Sequence, residues 1–210
     1  MRMLQKFWSE TLPIADRCLQ HPFVQGLADG SLAKSKFMGF IAQDTFFLDV
    51  FARAYGAGVA RAPDLEGRRA FFELAGGVFE ELKLHVSVAK ELGIQLSQVV
   101  PLKATRSYTD FLLANAFSGT LGELVASMAP CMKLYHFLGA ALAQDSNSNA
   151  KYAHWIETYA GPEFANLVTQ VEKLMDRYCE GSAKEMALFE RAINLEYEFF
   201  DEAWQLNVGK

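Results

Sequence analysis

Apolar residues recur at steps of three and four in Phe7 to Leu19, Phe37 to Val59, Phe71 to Leu92, Tyr108 to Phe117, Leu121 to Leu142, Phe164 to Tyr178 and Met186 to Trp204. That period gives each segment one apolar stripe and predicts about seven amphipathic helices. The predicted breaks carry their own chemistry: His21-Pro22, Asp29-Gly30, Ala62-Pro63, Leu92-Gly93, Ser118-Gly119, the polar loop Asp145 to Asn149, Gly161-Pro162 and Gly181-Ser182. No run alternates apolar and polar with β-branched residues, and no repeat of fixed period occurs. The expected class is all-α, a helical bundle forming a single domain over residues 1–210.

Composition narrows the function rather than the fold. With 210 residues, 51% of them hydrophobic, the chain is long enough for one core that buries roughly 70% of the unfolded surface. Twenty basic residues stand against twenty-five acidic ones, without runs of like charge, which argues against a nucleic-acid partner. The N-terminal segment lacks the apolar core of a secretion signal, and no apolar run reaches bilayer length, so a cytoplasmic location without membrane contact is expected. Cys18, Cys131 and Cys179 lie far apart and in no metal-binding spacing, which predicts reduced thiols, no disulfide and no structural zinc.

Polar groups on apolar stripes carry the most information, because burial of a charge requires compensation. Asp44 has Phe40 four residues before it, Phe47 three after and Leu48 four after, so its carboxyl faces the core. Glu196 likewise shares a stripe with Phe189, Ala192, Phe199 and Phe200, whereas Glu190 and Glu198 lie off it and are expected in solvent. Cys131 and Tyr135 are one turn apart on a face with Leu138, while Lys133 and His136 point elsewhere. Pro130 removes a backbone hydrogen bond and is expected to bend the helix and open space beside the thiol. By residue type alone Cys131 fits a packing role better than a catalytic one, as do Tyr108, Tyr135 and Tyr159.

Six pieces taken together resemble the TenA family, whose typical members are thiaminase II (aminopyrimidine aminohydrolase). They are His21 to Gly30, Gln43 to Phe47, Arg106 to Tyr108, Pro130-Cys131 through Tyr135, Trp155 to Tyr159 and Glu196 to Phe200, in the family's order and across nearly the whole chain. The resemblance implies a haem-oxygenase-like helical bundle, assembled as a homotetramer, that hydrolyses an aminopyrimidine of the vitamin B1 pathway without cofactor or metal. Carried over by position, it makes Cys131 the nucleophile and Glu196 the acid/base partner. Asp44 would hold the amino edge of the ring, with Phe47, Tyr108, Tyr135, Tyr159 and Phe199 around it. Phe47 stands where the family often has tyrosine, and Met132 and Lys133 replace aromatics common after the cysteine, which bears on substrate range.

The residue types suit that chemistry. An electron-poor aminopyrimidine accepts a thiolate at a ring carbon while a carboxylic acid protonates a ring nitrogen, and the group on the methylene carbon is then replaced by water. Two other classes compete: a pyrimidine-binding or regulatory module without turnover, and a di-iron oxidase of the same bundle type. The latter calls for Glu-x-x-His pairs, and no glutamate stands three residues before any histidine. His21, His85, His136 and His154 read as structural or exposed, with His21 shaping a turn. Cys18 and Cys179 read as packing residues, and Arg68, Arg69 and Lys83 as a solvated helix face.

Overall fold

The breaks read from the sequence are helix boundaries in the computed structural model, which describes residues 2–145 and 151–206. The described residues form α1 (Met3–Leu19), α2 (Pro22–Asp29), α3 (Lys34–Arg61), α4 (Leu65–Leu92), α5 (Lys103–Ser118), α6 (Leu121–Asp145), α7 (Ala153–Ala160), α8 (Pro162–Tyr178) and α9 (Ala183–Gln205). A single 3₁₀ turn, Leu96–Gln98, lies between α4 and α5, and no strand occurs among the described residues. Residues 146–149 of the predicted polar loop lie outside the described residues. Two helices, α2 and α7, were not resolved by the periodicity, since each has only eight residues. Two turns are too few to establish a stripe.

Local chemistry starts and stops these helices. The ring of His21 accepts a hydrogen bond from the Phe23 N–H at 3.1 Å, with Pro22 at the first helical position, so the expected turn is the N-cap of α2. Gly30 ends α2 in the left-handed region at φ 76°, which a residue without Cβ adopts freely. Asp64 caps α4 through the Gly67 N–H at 2.8 Å. Ser182 and Glu185 form a reciprocal capping box at the start of α9.

Long α3 packs along α4 and α5, and α6 packs against α7, α8 and α9. Between these layers runs one contiguous apolar core in which Phe23 of α2, Phe40 of α3 and Phe200 of α9 stack with ring centroids 5.1–6.4 Å apart. Where α6 meets α7, a Cβ on Gly139 would lie 2.6 Å from the Ala160 nitrogen and the Tyr159 carbonyl carbon, so only glycine permits this approach. His136 Nδ1 lies 2.9 Å from the Tyr159 carbonyl and fastens the same crossing. None of the described helices is long and apolar enough to cross a membrane.

Candidate active site

Five helices deliver side chains to one buried region beside α6: Asp44 and Phe47 from α3, Glu81 and His85 from α4, Cys131 and Tyr135 from α6, Tyr159 from α7 and Glu196 from α9, with Tyr108 of α5 behind them. Asp44, Phe47, Cys131, Tyr135 and Tyr159 line a common cavity, together with Met132, Phe164 and Glu81. Glu196 and Tyr108 support the wall at the thiol, and Phe199 stands against Phe47 at 6.2 Å between centroids. The structure therefore brings together all eight residues singled out from the sequence.

Two polar clusters divide the region. In the first, the Tyr108 hydroxyl donates to Glu196 Oε1 at 2.8 Å, and the Cys131 thiol neighbours the same carboxyl. Burial pushes the Glu196 carboxyl up to about 8, with the charge of Asp44 adding to the rise and the hydroxyl and thiol opposing it. Burial also raises the Cys131 thiol well above its ordinary range, reinforced by Glu196, Glu81 and Asp44, so at neutral pH it is a neutral S–H beside a protonated acid.

In the second cluster, His85 spans Asp44 Oδ2 (Nε2, 2.8 Å) and the Glu81 carbonyl (Nδ1, 3.0 Å). A carboxylate and a carbonyl both accept, so both ring nitrogens donate and the ring is an imidazolium. Burial works against that charge, but the hydrogen bond to Asp44 and its negative charge lift His85 to about 9. The Glu81 side chain accepts a hydrogen bond from the Tyr159 hydroxyl. Burial and the charge of Asp44 push Glu81 up to about 7, against the opposing effects of His85 and Tyr159. Ligand atoms of Asp44, Glu81 and His85 fall within 4.8 Å of one another. With both nitrogens of His85 already donating, the trio is a charge-compensated pair beside an acid, not a preformed cation site.

A family model described as TENA/THI-4/PQQC matches residues 8–206. The chain belongs to this family. It is 34% identical over 215 residues to the aminopyrimidine aminohydrolase of Halalkalibacterium halodurans, an alignment covering 97% of this chain and 96% of that relative. A solved structure from Silicibacter, described as a TenA family transcription regulator, matches with a TM-score of 0.91 at 26% identity and covers 98% of this chain and 97% of its own. Haem oxygenase-1 of the cyanobacterium Synechocystis matches at a TM-score of 0.64 and 13% identity over 96% of this chain and 92% of its own, which establishes the shared haem-oxygenase-like fold alone.

For this TenA family chain, one residue of the site was missed and two readings are refined. His85, read from the sequence as structural or exposed, is buried and bonded to Asp44. Its partner on α4, Glu81, was not singled out at all. The test that located Asp44 would have found His85, which has Val78 seven residues before it and Val88 and Ala89 three and four after. Finally, α6 runs unbroken through Pro130, and the cavity beside Cys131 is narrow, with room for about one water molecule. A ring-sized space does not follow from the proline alone; a flat ring enters only as the walls move apart.

Proposed function

We propose that this chain is a cytoplasmic hydrolase of thiamine salvage that releases hydroxymethyl-aminopyrimidine from aminomethyl-aminopyrimidine, and also accepts thiamine. The observation that carries this reading is the buried Cys131 thiol beside the protonated Glu196, across a narrow aromatic cavity from the Asp44–His85 ion pair. Its relative in Halalkalibacterium halodurans is an aminopyrimidine aminohydrolase. Asp44, paired with the His85 ring, offers acceptor oxygens to the amino edge of the pyrimidine. Phe47, Tyr135 and Tyr159 supply its stacking walls.

The neutral thiol suits a concerted start. Glu196 passes its proton to a ring nitrogen, the resulting carboxylate takes the proton of the neighbouring Sγ–H, and the sulfur adds to the electron-poor ring carbon. Proton transfer thus generates the thiolate only when a ring is present to receive it. Hydrogen bonding from Tyr108 holds Glu196 in line throughout.

The alternative of a binding or regulatory module leaves the thiol, two raised carboxyls and an ion pair buried without a task, each at a cost to stability. Cys131→Ser decides between them. The proposed enzyme loses hydrolysis of aminomethyl-aminopyrimidine by at least about 10²-fold while still binding the hydroxymethyl product. A wild-type protein that binds the pyrimidine tightly and never turns it over would overturn the enzymatic reading.

Assembly as a homotetramer belongs to the same proposal. Its support is the outer face of α4, where Leu65, Phe72, Phe79 and Val86 recur every seven residues and are 51–68% exposed. So regular an apolar row on a solvent-facing helix fits an interface between copies.

A further inference from the structure

We infer that Glu81 is a second acid–base group of this site, protonating the amine that leaves the pyrimidine methylene and then activating the water that replaces it; the assignment rests on the function proposed above. Its placement carries the inference. Glu81 lines the narrow cavity beside Cys131, and it also lines both larger cavities outside it, one walled by Phe37, Val88 and Trp155 and the other by Gly77 and Leu167. A group expelled from the inner cavity into either outer one passes this carboxyl. Glu196 lines none of these three cavities and lies against Tyr108 and the thiol.

The chemistry calls for a proton at each end of the substrate. An amine is a poor leaving group until it is protonated, and the proton that Glu196 takes up from the thiol is needed again at the sulfur when the adduct collapses. Glu81 can hold one near neutral pH, where burial and the charge of Asp44 bring it to about 7, and the Tyr159 hydroxyl fixes one of its oxygens. His85 is committed by both nitrogens to Asp44 and the Glu81 carbonyl.

The steps balance. The Glu81 proton moves to the amine nitrogen as the C–N bond breaks with its electron pair going to nitrogen, leaving an exocyclic methylene on the thiol adduct. Water oxygen bonds to that carbon while the Glu81 carboxylate takes one of its protons and is restored as an acid. The adduct then gives its ring proton to Glu196 as the proton Glu196 took from the thiol returns to the sulfur, and Cys131 leaves as S–H. The net change is amine plus water to alcohol plus ammonia, with no oxidant or reductant.

The leaving group provides the test. Aminomethyl-aminopyrimidine and its N-aryl derivatives need a proton to depart, less so as the amine becomes less basic, whereas a pyridinium-methyl analogue departs as neutral pyridine and needs none. Glu81→Gln is expected to lower kcat/KM by about 10²–10⁴-fold for the unsubstituted amine, progressively less along the N-aryl series, and little for the pyridinium. Glu81→Asp, which keeps an acid, is expected to recover part of the loss on the amine alone. An equal factor across the whole series, small or large, would refute the assignment, since a merely structural glutamate cannot sense the basicity of the departing group. Wild-type protein inactive on every member would instead defeat the hydrolase reading itself.

Discussion

Replacing Glu196 by glutamine separates a catalytic from a structural role, because the two give changes of opposite sign. The unfolded carboxyl titrates near 4.5 and the folded one near about 8, so between these values the native state holds a proton that the unfolded chain lacks. This group's contribution is therefore most favourable below pH 4.5 and is lost as the pH rises through 8. At pH 7 the burden on the wild type comes to about 3 kcal/mol, from roughly 2.5 pH units at about 1.4 kcal/mol each; at pH 5 it falls below about 1 kcal/mol. Glutamine removes it but fits the Tyr108 hydroxyl less well, a loss of about 1 kcal/mol. Glu196→Gln should gain about 1–3 kcal/mol at pH 7 and almost nothing at pH 5. For a chain of this size that gain corresponds to a rise in Tm of roughly 3–10 °C. Turnover of aminomethyl-aminopyrimidine should fall by about 10²–10⁴-fold. Thermal melts from pH 5 to 8, paired with rates on the same samples, read both quantities. A variant that melts lower at pH 7 while retaining full turnover would show that Glu196 serves a structural ion pair and no proton transfer.

The ion pair at the other end responds in the opposite sense. His85→Gln should destabilise the fold by about 3–5 kcal/mol, because it leaves the Asp44 carboxylate buried without a counter-charge. His85 rises from 6.5 to about 9 on folding, so its contribution is complete below pH 6.5 and is lost as the pH passes 9. Denaturant titrations should show the gap between wild type and variant narrowing from pH 6.5 to pH 10, and a gap independent of pH would count against an imidazolium at this position. On the outer face of α4, Phe79→Lys should break the proposed tetramer into smaller species while leaving the helical content intact. Light scattering that finds the same particle mass in wild type and variant would exclude that face as an interface.

Much of this architecture was legible from spacing, and the exceptions share one cause. Asp44, Glu196 and Cys131 each face inward as their neighbours predict. By contrast α4 is apolar on two sides, with Phe71, Leu74, Val78 and Ala89 turned to the core and Leu65, Phe72, Phe79 and Val86 turned outward. Where both faces are apolar, periodicity does not say which polar residues lie between helices, and Glu81 went unread for that reason. Hydrogen-bond pairings such as Tyr108 with Glu196 span 88 residues and belong to tertiary packing rather than to any local pattern.

The close seam at Gly139 bears on how quickly the cavity can admit a ring. Backbone there already meets backbone, and the bond from His136 to the Tyr159 carbonyl ties α7 to α6, so this wall neither closes further nor parts without breaking that bond. Space for a ring must come from the other lining residues, among them Phe47, Met132 and Phe164. Swinging a side chain between rotamers is faster than moving a helix, which belongs to the microsecond-to-millisecond range of hinge and lid motions. Under the proposed function, entry of the ring is then a local event inside a fixed frame, and the pace of turnover is left to the chemistry between the thiol and its two acids.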